Sequence, residues 1–368
     1  MDSRQWIDAW ERQIGGSLEE SARLADKTSQ FPQDWVDLIL KDSTYQDLVG
    51  QIKEQTAFNK YNQLIEAISK DFASLASILM TQTCYGLYPL LKYGNDQQKE
   101  AKLQSLLQGD ALAGFAHSEE ETGSRIDRIR TLAKPQGEDW LLTGHKAFVS
   151  NGFEADFFYV TAKIENQSDQ WGIFIVERNQ PGLQISPPKD KVGVRAMSLI
   201  ELDLDQVRLS SKEILGTFDQ AYDMILDIIN HIRLSIVSQA LGLTQASLEK
   251  GLEYLCLERQ IGSRLIEVPD YQLTVATIDA RYEAIKTYQA SLVGQDTLTC
   301  RDISHLKLLA SRLAKEASEE IIRLSGGHGF MKDNDLDRIA RDARATEIYG
   351  GSSLSQGRVI AKQWLDDK

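Results

Sequence analysis

Hydrophobic and polar residues follow three successive patterns along the chain. From residue 2 to residue 108, apolar positions recur every three or four residues, as in "YNQLIEAISKDFASLASILM", which predicts helices that end at Gly109. From residue 111 to residue 215 the apolar segments are short and rich in β-branched and aromatic residues, as in "ADFFYVTAKI" and "QWGIFIVE". Turn-forming residues separate these segments, a pattern that predicts antiparallel strands. After Gly216 the helical period returns in long stretches.

The order of the patterns determines the expected fold class. Separate blocks of helices, strands and helices favour an α+β protein over a βαβ sheet. We expect an N-terminal α-helical domain over 1–110 and an antiparallel β-barrel or sandwich over 111–215. A C-terminal four-helix bundle is expected over 216–368.

Charge and cysteine usage narrow the class of partners. The chain has 41 Lys and Arg against 54 Asp and Glu, so a net charge of −13 argues against nucleic acid as the main partner. The N-terminal segment is amphipathic without an apolar signal region, and no apolar run is expected to span a bilayer. Cys84, Cys256 and Cys300 lack metal-ligand spacing. We therefore expect a cytoplasmic protein with reduced thiols, no membrane partner and no metal site.

Isolated motifs indicate no reaction by themselves. The five histidines lie in separate contexts, and the sequence contains neither a G-x-S-x-G elbow nor a G-x-G-x-x-G segment after a predicted strand. "GGHGF", which begins at Gly326, follows a predicted helix, where it is typical of a C-cap and turn.

Six segments in order nevertheless resemble the acyl-CoA dehydrogenase flavoproteins. "FAHSEEETGS" resembles the family's Thr-Glu-Pro-Gly-x-Gly-Ser strand and loop, and "LLTGHKAFVSNG" resembles its Gly-x-Lys-x-Trp-Ile-Thr-Asn-Gly segment. "DKVGVRAMSLIELDLDQVRL", "LERQIGSRL", "LSGGHGF" and "RDARATEIYGGSSLSQ" match later segments. The resemblance covers most of the chain but is poor over roughly the first fifty residues. It extends to small members of the family that act on acyl carrier proteins in biosynthetic pathways.

The resemblance implies FAD between the β-domain and the C-terminal bundle. Ser118 and Ser124 fall in the loop that meets the flavin, and Phe148 and Ser150 fall where Trp and Thr cover its ring. Arg259 falls where an Arg of a neighbouring subunit meets the FAD diphosphate, which implies a homodimer or homotetramer. The remaining implied FAD contacts are Gly326, Gly327 and Ser352.

The usual catalytic base is missing. In the family the final turn commonly reads Ile-Tyr-Glu-Gly-Thr-Ser, and its Glu removes the α-proton of an acyl thioester. Here Gly350 occupies that position and should leave space beside the flavin. Some members carry the base just before an Arg on a bundle helix, but Ile232 precedes the matching Arg233. The remaining candidates for a catalytic base are His231 and a water molecule held by Ser352 or Ser353.

Two further positions concern the substrate. Arg233 is expected to bind substrate, as is Ser198, because Met197 replaces a Ser that often meets the CoA 3′-phosphate. The departure fits an acyl carrier protein, whose phosphopantetheine arm lacks that phosphate, although Ser198 could replace the lost contact.

Three functions therefore remain open. The first is an FAD-dependent oxidoreductase that acts on an acyl thioester, possibly bound to a carrier protein, in a biosynthetic pathway. The second is a flavin monooxygenase of the same fold, which needs no such base. The third is a catalytically degenerate FAD-binding subunit.

Overall fold

The computed structural model describes residues 2–123, 125–167, 169–258, 262–292 and 298–366. Its N-terminal part consists of helices, with a π-helical segment at Thr81–Leu87. The helices are α1 (Ser3–Ile14), α2 (Leu18–Thr28), α3 (Gln33–Leu40), α4 (Ser43–Gly50), α5 (Gln55–Asp71), α6 (Ala73–Met80), α7 (Tyr88–Tyr93) and α8 (Asp96–Leu107).

The middle part folds into one sheet of eight strands. The strands are β1 (Ala113–Ala116), β2 (Leu132–Gln136), β3 (Asp139–Ser150), β4 (Phe157–Ile164), β5 (Trp171–Glu177), β6 (Leu183–Ile185), β7 (Leu199–Ser210) and β8 (Ile214–Leu215). Their order is β6-β7-β3-β2-β4-β5-β8, with β1 paired to β4. Most pairs are antiparallel, but β1 and β2 both run parallel to β4. The expectation of an entirely antiparallel sheet is therefore wrong at β4.

Both faces of the sheet are covered, which explains the unbroken apolar runs of β4 and β5. Phe157 and Tyr159 pack with the N-terminal helices, whereas Phe158 and Val160 pack with the other sheet residues. Successive side chains of a strand point to opposite faces, so a strand that is buried on both faces shows no polar alternation.

The C-terminal part is again helical. Its helices are α9 (Ala221–Leu255), α10 (Pro269–Leu292), α11 (Cys300–Ser325), α12 (Leu336–Thr346), α13 (Ser353–Ala361) and α14 (Gln363–Asp366). A capping box starts α11, where the Asp302 N–H donates to Thr299 Oγ1 at 3.1 Å. The proposed domain boundaries, after residues 110 and 215, fall between the last helix or strand of one part and the first of the next.

Helix α9 is the central helix of the protein. The segment Phe218–Leu255 is long and apolar enough to cross a membrane, so the expectation that no run reaches that length is wrong. However, 78% of its most apolar window is buried inside the protein, as in the core helix of a globular domain. Residues of α9 pack in both helical core clusters, so this helix joins the N-terminal helices to the bundle.

A buried ion pair fixes the loop after β1 to the sheet. Lys146 Nζ on β3 lies 2.9 Å from Glu119 Oε1, and both side chains are buried. Glu119 also accepts hydrogen bonds from the Thr131 N–H and hydroxyl at 2.9 and 2.7 Å. Burial alone would raise the pKa of Glu119, but Lys146 and Thr131 outweigh it and lower that pKa to about 2.

We predict that Lys146→Met destabilises the protein by about 3–5 kcal/mol, because it leaves the Glu119 carboxylate buried without a cation. The free energy of unfolding, measured by urea titration, tests this prediction. Lys134→Met is the control, since Lys134 forms an exposed pair with Glu165 at 3.9 Å. That change should cost no more than about 1 kcal/mol. Equal losses in the two variants would contradict the prediction.

Candidate active site

The turn after α12 carries two consecutive glycines in left-handed conformations. Gly350 and Gly351 have φ angles of +65° and +93°. The carbonyl of Gly350 accepts a hydrogen bond from Arg233 Nε at 2.7 Å, and that of Gly351 accepts one from Lys307 Nζ at 2.8 Å. Gln356 Nε2 donates to Gly351 O at 2.9 Å. Side chains of α9, α11 and α13 thus fix the turn together.

The space beside Gly350 is not free. A Cβ atom at this position would lie 2.5 Å from Ile236 Cδ1 and 3.6 Å from Arg233 Cγ. The expectation that Gly350 leaves an open space is not met for the first atom of a side chain, because the end of the Ile236 side chain would have to shift to admit a Cβ atom. Ile232, at the second possible base position, is itself buried in the core.

Two buried cations border the turn. Arg233 is only 8% exposed, and its Nη1 donates to Asn230 Oδ1 at 2.8 Å. Burial lowers the pKa of Arg233. Burial, and then the charge of Arg233, lower the pKa of Lys307 to about 7. Among the described residues, no carboxylate lies within ion-pair distance of either side chain, so the turn lies beside one buried arginine and a lysine that loses its proton near neutral pH.

Phe148 presents an exposed ring at the end of β3. Its side chain is 59% exposed, and its φ of +60° is rare for a bulky residue. The β3–β7 register shifts between Lys146 and Val149, as at a bulge that redirects a side chain. Ser118, whose carbonyl accepts the Ala147 N–H at 2.9 Å, is half-buried, as is Ser150. The exposed ring of Phe148 is held by a strained backbone, and two hydroxyl side chains lie nearby in the chain or the fold. This arrangement fits the flat ring of the expected FAD.

The other predicted cofactor residues do not all meet at the turn. Ser352 is the N-cap of α13, and its Oγ accepts the Ser355 N–H at 3.3 Å. Gly326 and Gly327 follow the C-terminal end of α11. At the rise per residue of an α-helix, that end lies about 27 Å along the helix from Lys307. Open space surrounds both glycines, since an added Cβ would meet no atom within 4 Å. The two remaining predicted residues, Ser124 and Arg259, lie outside the described residues.

Ser198 lies in a cavity between the sheet and the N-terminal helices. The cavity has a volume of about 210 Å³, and Ser29, Phe31, Lys189 and Lys191 also line it. Ser198 Oγ donates to the Glu154 carboxylate and accepts the Phe153 N–H at 3.2 Å. Burial raises the pKa of Glu154. The hydroxyl group is therefore already engaged, and its partner is an acid.

His231 is enclosed between two aromatic rings. Its ring centroid lies 3.8 Å from that of Phe58 and 3.8 Å from that of Tyr88, with interplanar angles of 17° and 7°. Nε2 is buried with no partner among the described residues, and burial lowers the pKa of His231 to about 3. This packing argues against the prediction that His231 is the catalytic base, because a base needs access to the proton that it removes.

Sequence reasoning missed Lys307 and Ile236. Lys307 lies in the buried stripe of α11, which otherwise consists of small or apolar residues such as Ile303, Ala310 and Ala314. A lysine at a core position of an amphipathic helix is rare, and this signal could have identified it. Ile236 gave no signal, because an apolar residue on a buried helix is ordinary.

Comparisons with known proteins agree with this architecture. Residues 114–207 match the family model of the acyl-CoA dehydrogenase middle domain, and residues 222–365 match that of the C-terminal domain. An acyl-CoA dehydrogenase of Bacillus subtilis is 30% identical over 359 residues, which cover 95% of this chain and 94% of the relative.

Solved structures share the fold. A glutaryl-CoA dehydrogenase of Mycobacterium smegmatis in complex with FADH2 superposes with a TM-score of 0.89 and 23% identity, covering 100% of this chain and 95% of the other. The prolyl acyl carrier protein oxidase AnaB gives a TM-score of 0.88 and 23% identity, covering 99% and 97%.

We predict that His231 makes stability dependent on pH without carrying the reaction. Its folded pKa of about 3 lies below the value of 6.5 expected for an exposed histidine. Its contribution is therefore complete above pH 6.5 and is lost as the pH falls towards 3. Below pH 6.5, the free energy of unfolding should fall by up to about 1.4 kcal/mol per pH unit from this group.

The variant His231→Phe should remove this part of the slope, because phenylalanine stacks between the same rings and cannot bind a proton. Urea titrations at several pH values measure the change. When the folded variant is loaded with FAD, its flavin should be reduced by the thioester substrate at the same rate as the flavin of the unmodified protein. Loss of that rate would restore His231 as a candidate base.

Proposed function

This chain belongs to the acyl-CoA dehydrogenase family, and from that premise we propose that it oxidises an acyl thioester carried by a carrier protein. The protein is an FAD-dependent oxidoreductase, and bound FAD supplies the two-electron acceptor. The proposal adds that the reaction serves a biosynthetic pathway and proceeds without the family's usual glutamate. The observation that carries the proposal is the turn at Gly350, which lacks a side chain and is packed against Ile236.

The environment of the turn supports a reaction other than fatty acyl desaturation. A general base contributes typically about a hundred- to ten-thousandfold to proton removal. Gly350 and Ile232 provide none, and the nearby Glu347 accepts a hydrogen bond from Ser353 Oγ at 3.2 Å and pairs with Lys315 at 3.6 Å. Oxidation at a C–O or C–N bond of a hydroxyacyl or aminoacyl group does not depend on a carboxylate at position 350.

The cavity at Ser198 supports a carrier protein rather than CoA. If the CoA 3′-phosphate approached Ser198, it would meet the Glu154 carboxylate, and two like charges repel each other. Three cations also line the cavity, but each has another partner: Lys189 pairs with Glu201 at 2.7 Å, Arg195 pairs with Asp190 at 3.4 Å, and Lys191 Nζ donates to Met197 O at 2.6 Å. A phosphopantetheine arm lacks the 3′-phosphate and avoids this repulsion. The prolyl acyl carrier protein oxidase with the same fold is consistent with such a substrate.

We also propose a cytoplasmic homodimer or homotetramer. The three cysteines are free, as is usual in a reducing compartment. Phe330 is 83% exposed, and it follows the open glycines at the far end of α11. An exposed aromatic side chain beside a glycine turn is suited to a subunit contact. Sedimentation of the FAD-loaded protein tests this assembly, and a monomer at micromolar concentration would contradict it.

We predict that the unmodified protein reduces its flavin only very slowly with butyryl-CoA under anaerobic conditions. The double variant Ile236→Val with Gly350→Glu should raise that rate by about a hundred- to ten-thousandfold, because valine lacks the Cδ1 atom that obstructs a side chain at position 350. Stopped-flow absorbance at the flavin band measures the rate.

The matched control is Ile236→Val with Gly350→Gln, which has a side chain of similar size that cannot accept the proton. It should remain slow.

Rapid desaturation by the unmodified protein would show that another carboxylate acts as base. Oxygen insertion with externally reduced flavin would favour the monooxygenase, and inactivity in all assays would favour a degenerate subunit.

We predict that Glu154→Gln improves the binding of butyryl-CoA several-fold but does not change the binding of butyryl-dephospho-CoA, which lacks the 3′-phosphate. Shifts of the flavin spectrum on titration measure both affinities. With the unmodified protein, a butyryl thioester on a phosphopantetheinylated carrier protein should bind better than butyryl-CoA. If the unmodified protein binds butyryl-CoA more tightly than both other thioesters, CoA is the better carrier and this part of the proposal fails.

A further inference from the structure

The π-helical segment Thr81–Leu87 presents one residue that is not buried. Six of its seven residues are buried, and Tyr85 is the exception, with a half-buried ring. π-Helical turns are rare and often occur at functional sites. The Tyr85 side chain is therefore the part of this segment that a ligand can reach.

The segment lies between two parts of the candidate active site. On one side the ring of Tyr85 stacks on that of Phe115 in β1, with centroids 4.8 Å apart and an interplanar angle of 19°. Strand β1 leads into the loop that is expected to meet the flavin. On the other side Cys84 Sγ lies 3.5 Å from Ser235 Oγ on α9, the helix that borders the glycine turn. Tyr85 thus lies between the strand that leads to the flavin loop and the helix beside the turn.

The hydroxyl group of Tyr85 has no hydrogen-bond partner among the described residues, although neighbouring tyrosines have one. Tyr88 donates to Asp227 Oδ2 at 2.7 Å, and Tyr159 donates to Gly86 O at 3.0 Å. The Tyr85 hydroxyl is also not one of the described polar atoms that are both buried and without a partner. Solvent, or a ligand in its place, can therefore reach this group.

The surroundings keep the Tyr85 hydroxyl group protonated. Burial raises the pKa of Tyr85, and the charge of Arg233 offsets only part of this rise. Tyr85 in turn acts on the pKa of Arg233, so the two groups are close enough to influence each other. A protonated phenol can donate and accept hydrogen bonds, but it cannot replace the missing base.

We propose that Tyr85 determines specificity, because its hydroxyl group forms a hydrogen bond with a hydroxyl substituent on the acyl group of the substrate. This inference rests on the proposed function, since it assumes that an acyl thioester lies beside the turn at Gly350. A hydroxyl substituent can donate to the phenol and accept from it. An ammonium substituent fits less well, because the positive charge of Arg233 would repel it.

Packing alone does not explain a tyrosine at this position. A phenylalanine would stack on Phe115 equally well, whereas the hydroxyl group of Tyr85 is half-buried and gains no bond to the protein. A polar group that loses hydration without gaining a partner costs free energy. A substrate that supplies the partner recovers this cost, and an analogue without the hydroxyl does not.

The test compares probes that differ only by a hydroxyl group. The probes are butyryl-pantetheine and both enantiomers of 2-hydroxybutyryl- and 3-hydroxybutyryl-pantetheine. The FAD-loaded protein should bind at least one hydroxylated probe about two- to tenfold more tightly than butyryl-pantetheine, as expected for one neutral hydrogen bond. The shift of the flavin spectrum on anaerobic titration gives the affinities.

The variant Tyr85→Phe tests the assignment. It should abolish the preference, keep the affinity for butyryl-pantetheine and leave the midpoint of urea unfolding unchanged, because the lost hydroxyl has no partner in the protein. The control Tyr282→Phe also removes a phenol hydroxyl, which bonds Glu66 at 3.0 Å, and should keep the preference. Equal affinities of all probes for the unmodified protein would overturn the inference. So would a Tyr85→Phe variant that does not fold or that keeps the preference.

The proposed function can be judged separately. If thioesters reduce the flavin but Tyr85→Phe has no effect on the choice between the probes, the inference fails and thioester oxidation stands. If no thioester reduces the flavin, the proposed function fails. In that case a binding preference that depends on Tyr85 would still support its contact with a hydroxylated ligand.

Discussion

Helix α9 is buried along most of its length, so its buried polar side chains need partners inside the protein, and most of them have one, His231 Nε2 being an exception among the described residues. Ser235 donates to Asn62 Oδ1 at 2.7 Å, and Gln239 donates to Ala73 O at 2.8 Å. Both bonds attach the bundle to the N-terminal helices. The candidate site depends on the same helix, because Arg233 and Ile236 are part of it. Substitutions on α9 will consequently affect both packing and chemistry.

Two bulky residues have backbone conformations that cost free energy. Phe148 and Val194 both have positive φ angles, of +60° and +50°, which bulky or β-branched residues rarely adopt. Val194 is held by its N–H, which donates to the buried Asp342 carboxylate at 2.6 Å. Phe148 is held by the bulge opposite β7. Such strain persists only where surrounding contacts enforce it, and it is concentrated at functional sites.

The sequence was sufficient to predict the succession of helices, strands and helices, because hydrophobic periods of 3.6 and 2 residues are local properties. It also identified Gly350 and Arg233 through the resemblance to the family. Contacts between distant segments could not be predicted in this way. The sequence makes a catalytic role for His231 plausible, because this residue lies near a reactive position, but Phe58 and Tyr88 enclose its ring in the fold. The parallel pairing of β1 and β2 with β4 depends likewise on long-range topology.

The proposed absence of a base at position 350 involves more than the loss of one side chain. A simple deletion would leave a void, and voids in a close-packed interior reduce stability. Here Ile236 Cδ1 lies only 2.5 Å from the place that a Cβ atom at position 350 would take. The two carbonyl groups of the turn are held by Arg233 and Lys307 instead of being adjusted around a carboxylate. Packing and hydrogen bonding are thus both compatible with glycine at this position, since the Ile236 side chain packs against the turn and two basic side chains hold its carbonyl groups.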